Sequence, residues 1–510
     1  MELFIIIATF LLLPFLLFFI AFCFLLLRIF TNKSIKNPNY PPVMGTVFHQ
    51  LLYFNKLYDH QAEVAEKHRT FRLLTPIQSE IYTTDTRNIE HVLKPTSPTT
   101  PKASTIGIYL WIFSAKEYSL WTAVRGGTRG SLRALSSPPG FSGTSAAPSL
   151  EPTPPNLPGK SRSFRMRDIL MKCGLDSIFK VGFGVELNCL EGSNQEGNAF
   201  IKAFDDSNAL VYWRYVDPLW TLKRFLNIGS EASLKKSIKV MDDFVYNLIR
   251  TKRKQLSIQQ YTNDKEDILS RFLLESQKDP EQMNDRYLRD IILNFTIAGK
   301  DSTANTLSWF FYVLTKHPLV QEKVVQEIRE VMDCGDDDKA HGYEDFVAKI
   351  TDGVLEKMQY LHAALTETLR LYPAVPIDGR CADADDILPD GHKLKQGDGV
   401  YYMSYAMGRM SYIWGEDAKE FRPERWLNNG VFQPESPFKF VAFHAGPRIC
   451  LGKDFAYRQM KISAMTLLHF FRFKLEDATR NVTYKTMFTL HINGGLHLQA
   501  IPRRNFLSSK

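Results

Sequence analysis

A chain of 510 residues that is 44% hydrophobic can bury a large core, and it carries a formal net charge of +8 from 63 basic and 55 acidic side chains. The two signs are interspersed, and the one dense basic run, Arg250 to Lys254, closes an amphipathic pattern and reads as a solvated helix end, so nucleic acid is excluded as a target. The six cysteines, at 23, 173, 189, 334, 381 and 450, have neither metal-finger spacing nor the density of a disulfide scaffold, which assigns the chain to a reducing compartment.

In chain order, Leu3 to Leu27 contains no charged residue and as a helix would cross the ~30 Å hydrocarbon core of a bilayer. Only Glu2 precedes it, whereas Arg28, Lys33 and Lys36 follow, so the positive-inside rule places the remainder on the cytosolic face. An acidic start and an overlong apolar stretch argue against a cleaved signal peptide. Residues 28–45 form a basic, proline-rich hinge in which Pro38-Asn39-Tyr40-Pro41-Pro42 is a stiff spacer. With the body in the cytosol, the Asn481-Val482-Thr483 sequon should stay unmodified.

The body runs from residue 46 to 510. It opens with a helical pattern, Leu51 to His68, and strand-like alternation in Thr70 to Leu74 and Glu80 to Thr84, expected to pair as a small antiparallel sheet. Residues 96–163 break the pattern. They are rich in proline, serine and glycine, carry only Glu117 and Glu151 as acids, and show no helical stripe after Trp121. Such a stretch is foreign to a compact domain; it reads as a disordered insertion or as a reading-frame or gene-model error, and its unpatterned composition favours the second.

Helical periodicity resumes over Asp168 to Phe179, Asn198 to Ala209, Ser230 to Ser257, Lys265 to Gln277, Asp285 to Lys316 and Leu319 to Met332. Short strand-like runs occupy Ile377 to Tyr405, and the tail from Asn481 to Ile501 alternates again. The class is therefore mainly α with small β-sheets (α+β).

Three motifs carry chemistry. Ala298-Gly299-Lys300-Asp301-Ser302-Thr303 puts an acid and hydroxyls in the middle of a long apolar helix; a hydroxyl bonded back to a carbonyl one turn earlier, beside Gly299, would open a groove for a diatomic ligand, with Asp301 and the alcohol as a proton relay. Glu367 and Arg370 stand at i and i+3 on an apolar helix, and Arg425 follows in Phe421-Arg422-Pro423-Glu424-Arg425-Trp426. Phe443-His444-Ala445-Gly446-Pro447-Arg448-Ile449-Cys450-Leu451-Gly452 places one cysteine in a glycine-pinned loop before the helical pattern Asp454 to Phe471, where the macrodipole favours a thiolate. Phe443 can cover one side of a flat group, Gly446 and Gly452 permit close approach, and Arg448 can pair with carboxylates of a cofactor.

The last string resembles the cysteine-loop signature of the cytochrome P-450 family, and the acid-alcohol helix and E-x-x-R helix resemble that family's other signatures in the same order. The resemblance covers Leu3 to Lys94 and Phe164 to the end. It implies the cytochrome P-450 fold behind one N-terminal transmembrane helix, and haem b with Cys450 as axial thiolate to the iron, a ligand that favours O-O cleavage. It implies cofactor contacts at Phe443, Gly446, Arg448 and Gly452, catalytic roles for Asp301, Ser302 and Thr303 (serine standing at 302 where threonine is usual), and a buried network of Glu367, Arg370 and Arg425 bracing the loop.

It further implies O2 and NADPH as co-substrates, electrons from the NADPH-cytochrome P-450 reductase, and a single-pass location in the endoplasmic reticulum membrane. Cys381 to Gly391, Gly397 to Arg409 and Tyr412 to Trp426 look like the plant fatty-acid ω-hydroxylase branch, implying a long-chain fatty acid as substrate. The family's W-x-x-x-R helix should fall in 96–163, where Trp121 and Arg125 match the spacing for a haem-propionate contact but Gly126, Gly127 and Gly130 interrupt the helix. Two alternatives stay open: a haem-thiolate isomerase or dehydratase acting on peroxides, against which the Asp301-Ser302 pair argues, and a catalytically inactive chain owing to 96–163.

Overall fold

A computed structural model describes residues 12–24, 37–47, 49–74, 79–94, 99–100, 162–190, 194–214, 217, 219–258, 267–333 and 343–503. Trp121, Arg125 and nearly all of the aberrant 96–163 stretch lie outside the described residues. Of the expected 3–27 span, residues 12–24 are described; they are helical with every side chain exposed. No described helix is long and apolar enough to cross a membrane.

Helices dominate. In chain order they are α1 (Leu57–Lys67), α2 (Thr86–Leu93), α3 (Met166–Phe183), α4 (Gln195–Trp213), α5 (Trp220–Leu226), α6 (Gly229–Ile258), α7 (Ile268–Lys278) and α8 (Asp285–Lys316). They continue with α9 (Pro318–Met332), α10 (Tyr343–Ala348), α11 (Asp352–Lys357), α12 (Gln359–Leu371), α13 (Ser404–Met407), α14 (Ser411–Trp414) and α15 (Lys453–Phe470). The first helical pattern splits: His49–Lys56 is a 3-10 helix that kinks at Tyr53 before α1 begins.

The strands β1 (Val43–Thr46), β2 (Thr70–Leu74), β3 (Ser79–Thr83), β4 (Thr99–Thr100), β6 (Asp378–Ala382) and β9 (Gly399–Tyr402) form one sheet in the order β1-β2-β3-β9-β6-β4. The expected small antiparallel sheet is thus larger and mixed: β2 and β3 are antiparallel, but β1 runs parallel to β2 and β9 parallel to β3. In a separate three-stranded sheet β5 (Arg162–Arg165) pairs with β15 (His497–Pro502), which also pairs with β12 (Phe471–Leu475); β7 (Asp386–Ile387) with β8 (Lys393–Leu394), β10 (Leu427–Asn428) with β11 (Val431–Phe432) and β13 (Tyr484–Lys485) with β14 (His491–Ile492) form two-stranded pairs.

The longest helix, α8, organises the packing. The Asn284 side chain caps it by accepting from the Tyr287 N–H at 3.1 Å, and Pro318, which cannot continue it, opens α9. Its first half, Leu288 to Leu293, enters an aromatic cluster with Phe179, Phe200, Phe204 and Phe272 of α3, α4 and α7. Its second half, Ala304 to Leu314, enters the main core with Val324, Leu361, Leu365 and Met465 of α9, α12 and α15. The polar segment 298–303 lies between the two clusters.

Helix α12 ends where α13 begins to pack. Gly408, just after α13, approaches so closely that an added Cβ would sit 2.0 Å from the Arg370 carbonyl oxygen. A backbone oxygen cannot step aside as a flexible side chain would. Gly408→Ala should therefore lower unfolding stability by about 3 kcal/mol, read from the denaturant midpoint.

Candidate active site

The cysteine loop is held by its own backbone. The Cys450 N–H donates to the Phe443 carbonyl at 2.8 Å, and Gly446–Arg448 makes a 3-10 turn between them. Gly446 has φ +61°, and its bare Cα faces α2: a Cβ there would lie 2.0 Å from the Leu93 carbonyl oxygen. Gly452, two residues after Cys450, is the N-cap of α15, and its backbone N–H favours the Cys450 thiolate. Cys450 is partly exposed as a residue and in no disulfide.

The helix N-terminus does not by itself stabilise the thiolate expected here. Burial pushes the Cys450 thiol up, and the Gly452 N–H and the Lys453 charge offset only part of that. A cationic metal at the sulfur would supply the missing stabilisation, so this site suits a metal ligand better than a free nucleophile. The ring of Phe443 packs on Tyr457 at 5.3 Å, with the Lys453 ammonium 5.9 Å from its centroid. Arg448 is half-buried at the end of the 3-10 turn.

Glu367, Arg370 and Arg425 come together as one buried network. Arg370 makes a bidentate pair with Glu367, 2.7 Å at each contact, with both side chains fully buried. Its remaining donors reach the carbonyls of Gly408, Ala418 (2.6 Å) and Glu420 (2.9 Å). Arg425 Nε contacts Glu367 at 3.4 Å and clamps Asp417 and the Trp414 carbonyl. Two donors complete the set: Trp426 Nε1 and the Arg422 N–H reach Glu367 at 2.8 and 3.0 Å. Trp426 then packs on Phe440 at 5.0 Å, three residues before Phe443, and Tyr457 bonds Thr366 of α12 at 2.9 Å. The network therefore reaches the cysteine loop from two sides.

On α8 the geometry departs from expectation. The helix stays continuous through Gly299, whose missing side chain is used by Ile178 of α3: a Cβ there would be 3.1 Å from its Cδ1 and Cγ1. Gly299 thus serves helix packing and does not itself open a groove. The back-bond is present at Ser302, whose hydroxyl donates to the Ala298 carbonyl at 2.5 Å, and Thr303 is buried. Asp301 and Ser302 have separate partners. The carboxylate of Asp301 takes the ammonium of Lys300 at 3.1 Å, and Lys300, only 1% exposed, also meets Asp205 of α4 at 2.5 Å. Burial works to raise the Asp301 carboxyl, but Lys300 outweighs it and holds the group below the usual carboxylate range. Asp205 carried no sequence signal, since it lies 95 residues away on another helix.

The cytochrome P450 family pattern matches residues 156–498. The chain is 42% identical to cytochrome P450 704C1 of Pinus taeda, over 95% of this chain and 96% of that protein. It is 41% identical to cytochrome P450 704B1 of Arabidopsis thaliana, over 93% and 96%, and 42% identical to cytochrome P450 86B1 of the same plant, over 66% and 60%. The chain belongs to the cytochrome P450 family of haem-dependent monooxygenases. The family works with haem b, O2 and electrons from NADPH, delivered in general by the NADPH-cytochrome P450 reductase.

Two substitutions test the buried charges. Glu367→Gln keeps the shape of the side chain but leaves Arg370 without its counter-ion, and should cost about 3–5 kcal/mol, seen as loss of folded protein in a thermal melt. Lys300→Met leaves Asp301 buried and unpaired, with a similar cost; Lys300→Met combined with Asp301→Asn should recover most of it in the same assay.

Proposed function

We propose that Cys450 is the axial thiolate of the haem iron and that the enzyme hydroxylates a long-chain fatty acid at its terminal carbon. The observation that carries the first part is the loop itself: a cysteine outside any disulfide two residues before the N-cap of α15, its N–H held by the Phe443 carbonyl, with Gly446 and Gly452 on either side. When bound, haem supplies the redox chemistry that activates O2 and inserts one oxygen atom into a C–H bond. The protein's own groups do the rest. Phe443 would cover the sulfur side of the cofactor, Arg448 would pair with one of its carboxylates, and the Glu367 network braces the loop that carries both.

Proton supply falls to α8. The Ser302 hydroxyl donates to Ala298 and keeps lone pairs free to accept, while Asp301, held ionised by Lys300, can take up and return a proton. The oxygenase reading follows from this acid-alcohol pair, which a peroxide isomerase would not need. The fatty-acid reading rests on the likeness of 381–391, 397–409 and 412–426 to the plant ω-hydroxylase branch.

Residues 3–27 serve as the anchor in the endoplasmic reticulum membrane, with the body cytosolic. An exposed apolar surface supports contact with a bilayer: Leu52 of the 3-10 helix, Trp213 of α4, and Leu219, Leu222 and Phe225 around α5 are all more than half exposed. Phe54 stacks on Trp213 with centroids 6.0 Å apart, which joins the two parts of this surface.

The test is the absorption spectrum of the reduced full-length protein with carbon monoxide. A red-shifted thiolate band is expected, lost in Cys450→Ser. Reconstitution with reductase and NADPH should then give ω-hydroxylated product from a C16 or C18 fatty acid, falling on the order of 100-fold in Asp301→Asn. A thiolate band without any such product would remove the substrate assignment and leave the ligand assignment standing.

A further inference from the structure

His444 is a residue of the cysteine loop that takes no part in the proposed haem site. Its backbone is left-handed, φ +58°, a region that costs a residue with a Cβ on the order of 1–2 kcal/mol. A glycine would sit there freely, as Gly446 does two positions later. Something about the imidazole must outweigh that cost.

The side chain reaches into a buried polar group on the large sheet. Nδ1 of His444 lies 2.8 Å from the hydroxyl of Tyr402 on β9 and 3.3 Å from Oδ2 of Asp378 on β6. The same Asp378 oxygen accepts from the Tyr402 hydroxyl at 2.8 Å and pairs with Arg380 Nη1 at 3.1 Å. Because the Tyr402 proton is already given to Asp378, and a carboxylate oxygen only accepts, Nδ1 must carry a hydrogen and donate. Burial keeps the ring neutral, so His444 holds one tautomer.

The link to the metal ligand runs through one peptide. The carbonyl of Phe443, which accepts from the Cys450 N–H at 2.8 Å, belongs to the peptide plane that ends at the His444 nitrogen. The N–H of that peptide donates to the Val441 carbonyl at 2.9 Å, its orientation depends on the φ of His444, and the imidazole latch onto β6 and β9 constrains that φ further. A rotation would withdraw the acceptor from Cys450.

We infer that His444 is a positioning residue for Cys450: latched to Tyr402 and Asp378, it fixes the peptide that holds the cysteine backbone and so determines how firmly the sulfur stays on the iron. This rests on the reading of Cys450 as the haem ligand. The substitution that separates the latch from the backbone is His444→Gly, which relieves the left-handed strain and removes the imidazole. His444→Asn is its counterpart, since asparagine tolerates this backbone and puts an amide donor where Nδ1 was. Tyr402→Phe removes the bridging hydroxyl alone.

Two readouts are taken on the full-length chain. The first is the fraction of the reduced carbon monoxide complex that keeps the thiolate band, at equal haem content. The second is amide hydrogen exchange of the peptide containing Cys450, which needs no turnover. His444→Gly and Tyr402→Phe should exchange about 2- to 10-fold faster there, the range for loss of one hydrogen bond, and should lose thiolate band, while His444→Asn stays near wild type. A His444→Gly protein with wild-type exchange and an undiminished thiolate band overturns the inference. A wild-type chain that binds haem without a thiolate band overturns the Cys450 reading and this one with it, whereas a wild-type band that His444→Gly leaves intact overturns this one alone.

Discussion

The carboxylate of Glu367 is the contact on which the rest of this molecule depends. It is fully buried, and it stays there only because Arg370, Arg425, Trp426 and the Arg422 N–H all donate to it. Those donors come from α12 and from the 421–426 segment, so a single charge ties two distant parts of the chain into one body. A buried ion pair is weak evidence of net stabilisation, but removing one partner leaves the other in a low-dielectric interior at high cost. The consequence lies in the arrangement: Glu367 holds the Trp426 indole, which packs on Phe440 three residues before the cysteine loop.

The second organising feature is the division of α8. Its two halves are apolar and belong to different cores, and the charges lie at the division. Lys300 is tolerated at 1% exposure because carboxylates flank it, one from its own helix and one from α4. The pairing has a chemical side effect, since the ammonium keeps Asp301 ionised in a place where burial alone would protonate it. Packing and proton chemistry thus share the same side chains, which explains why polar residues persist at the centre of so apolar a helix.

Much of the architecture was legible in the residues. The extent of α8, Asp285 to Lys316, follows from its periodicity, and β2 was marked by alternation alone. Short elements such as α10, α11, α13 and α14 escaped because four to six residues do not complete enough turns to show a period. The mixed six-stranded sheet was illegible for another reason: β3 pairs with β9 more than three hundred residues later, and no local pattern encodes a partner at that distance.

The same division holds at the site. Local sequence determined the glycine-pinned cysteine loop, the acid and hydroxyl on one helix, and the i, i+3 pair of Glu367 with Arg370, because each is a short-range arrangement whose geometry follows from backbone period and residue type. Only the tertiary structure decided that Ile178 fills the space over Gly299, that Asp205 reaches Lys300, and that His444 is anchored by Tyr402 and Asp378. Those contacts join residues from separate elements, and their existence depends on how helices and sheet pack after the chain has collapsed, a many-body outcome that no single stretch of sequence contains.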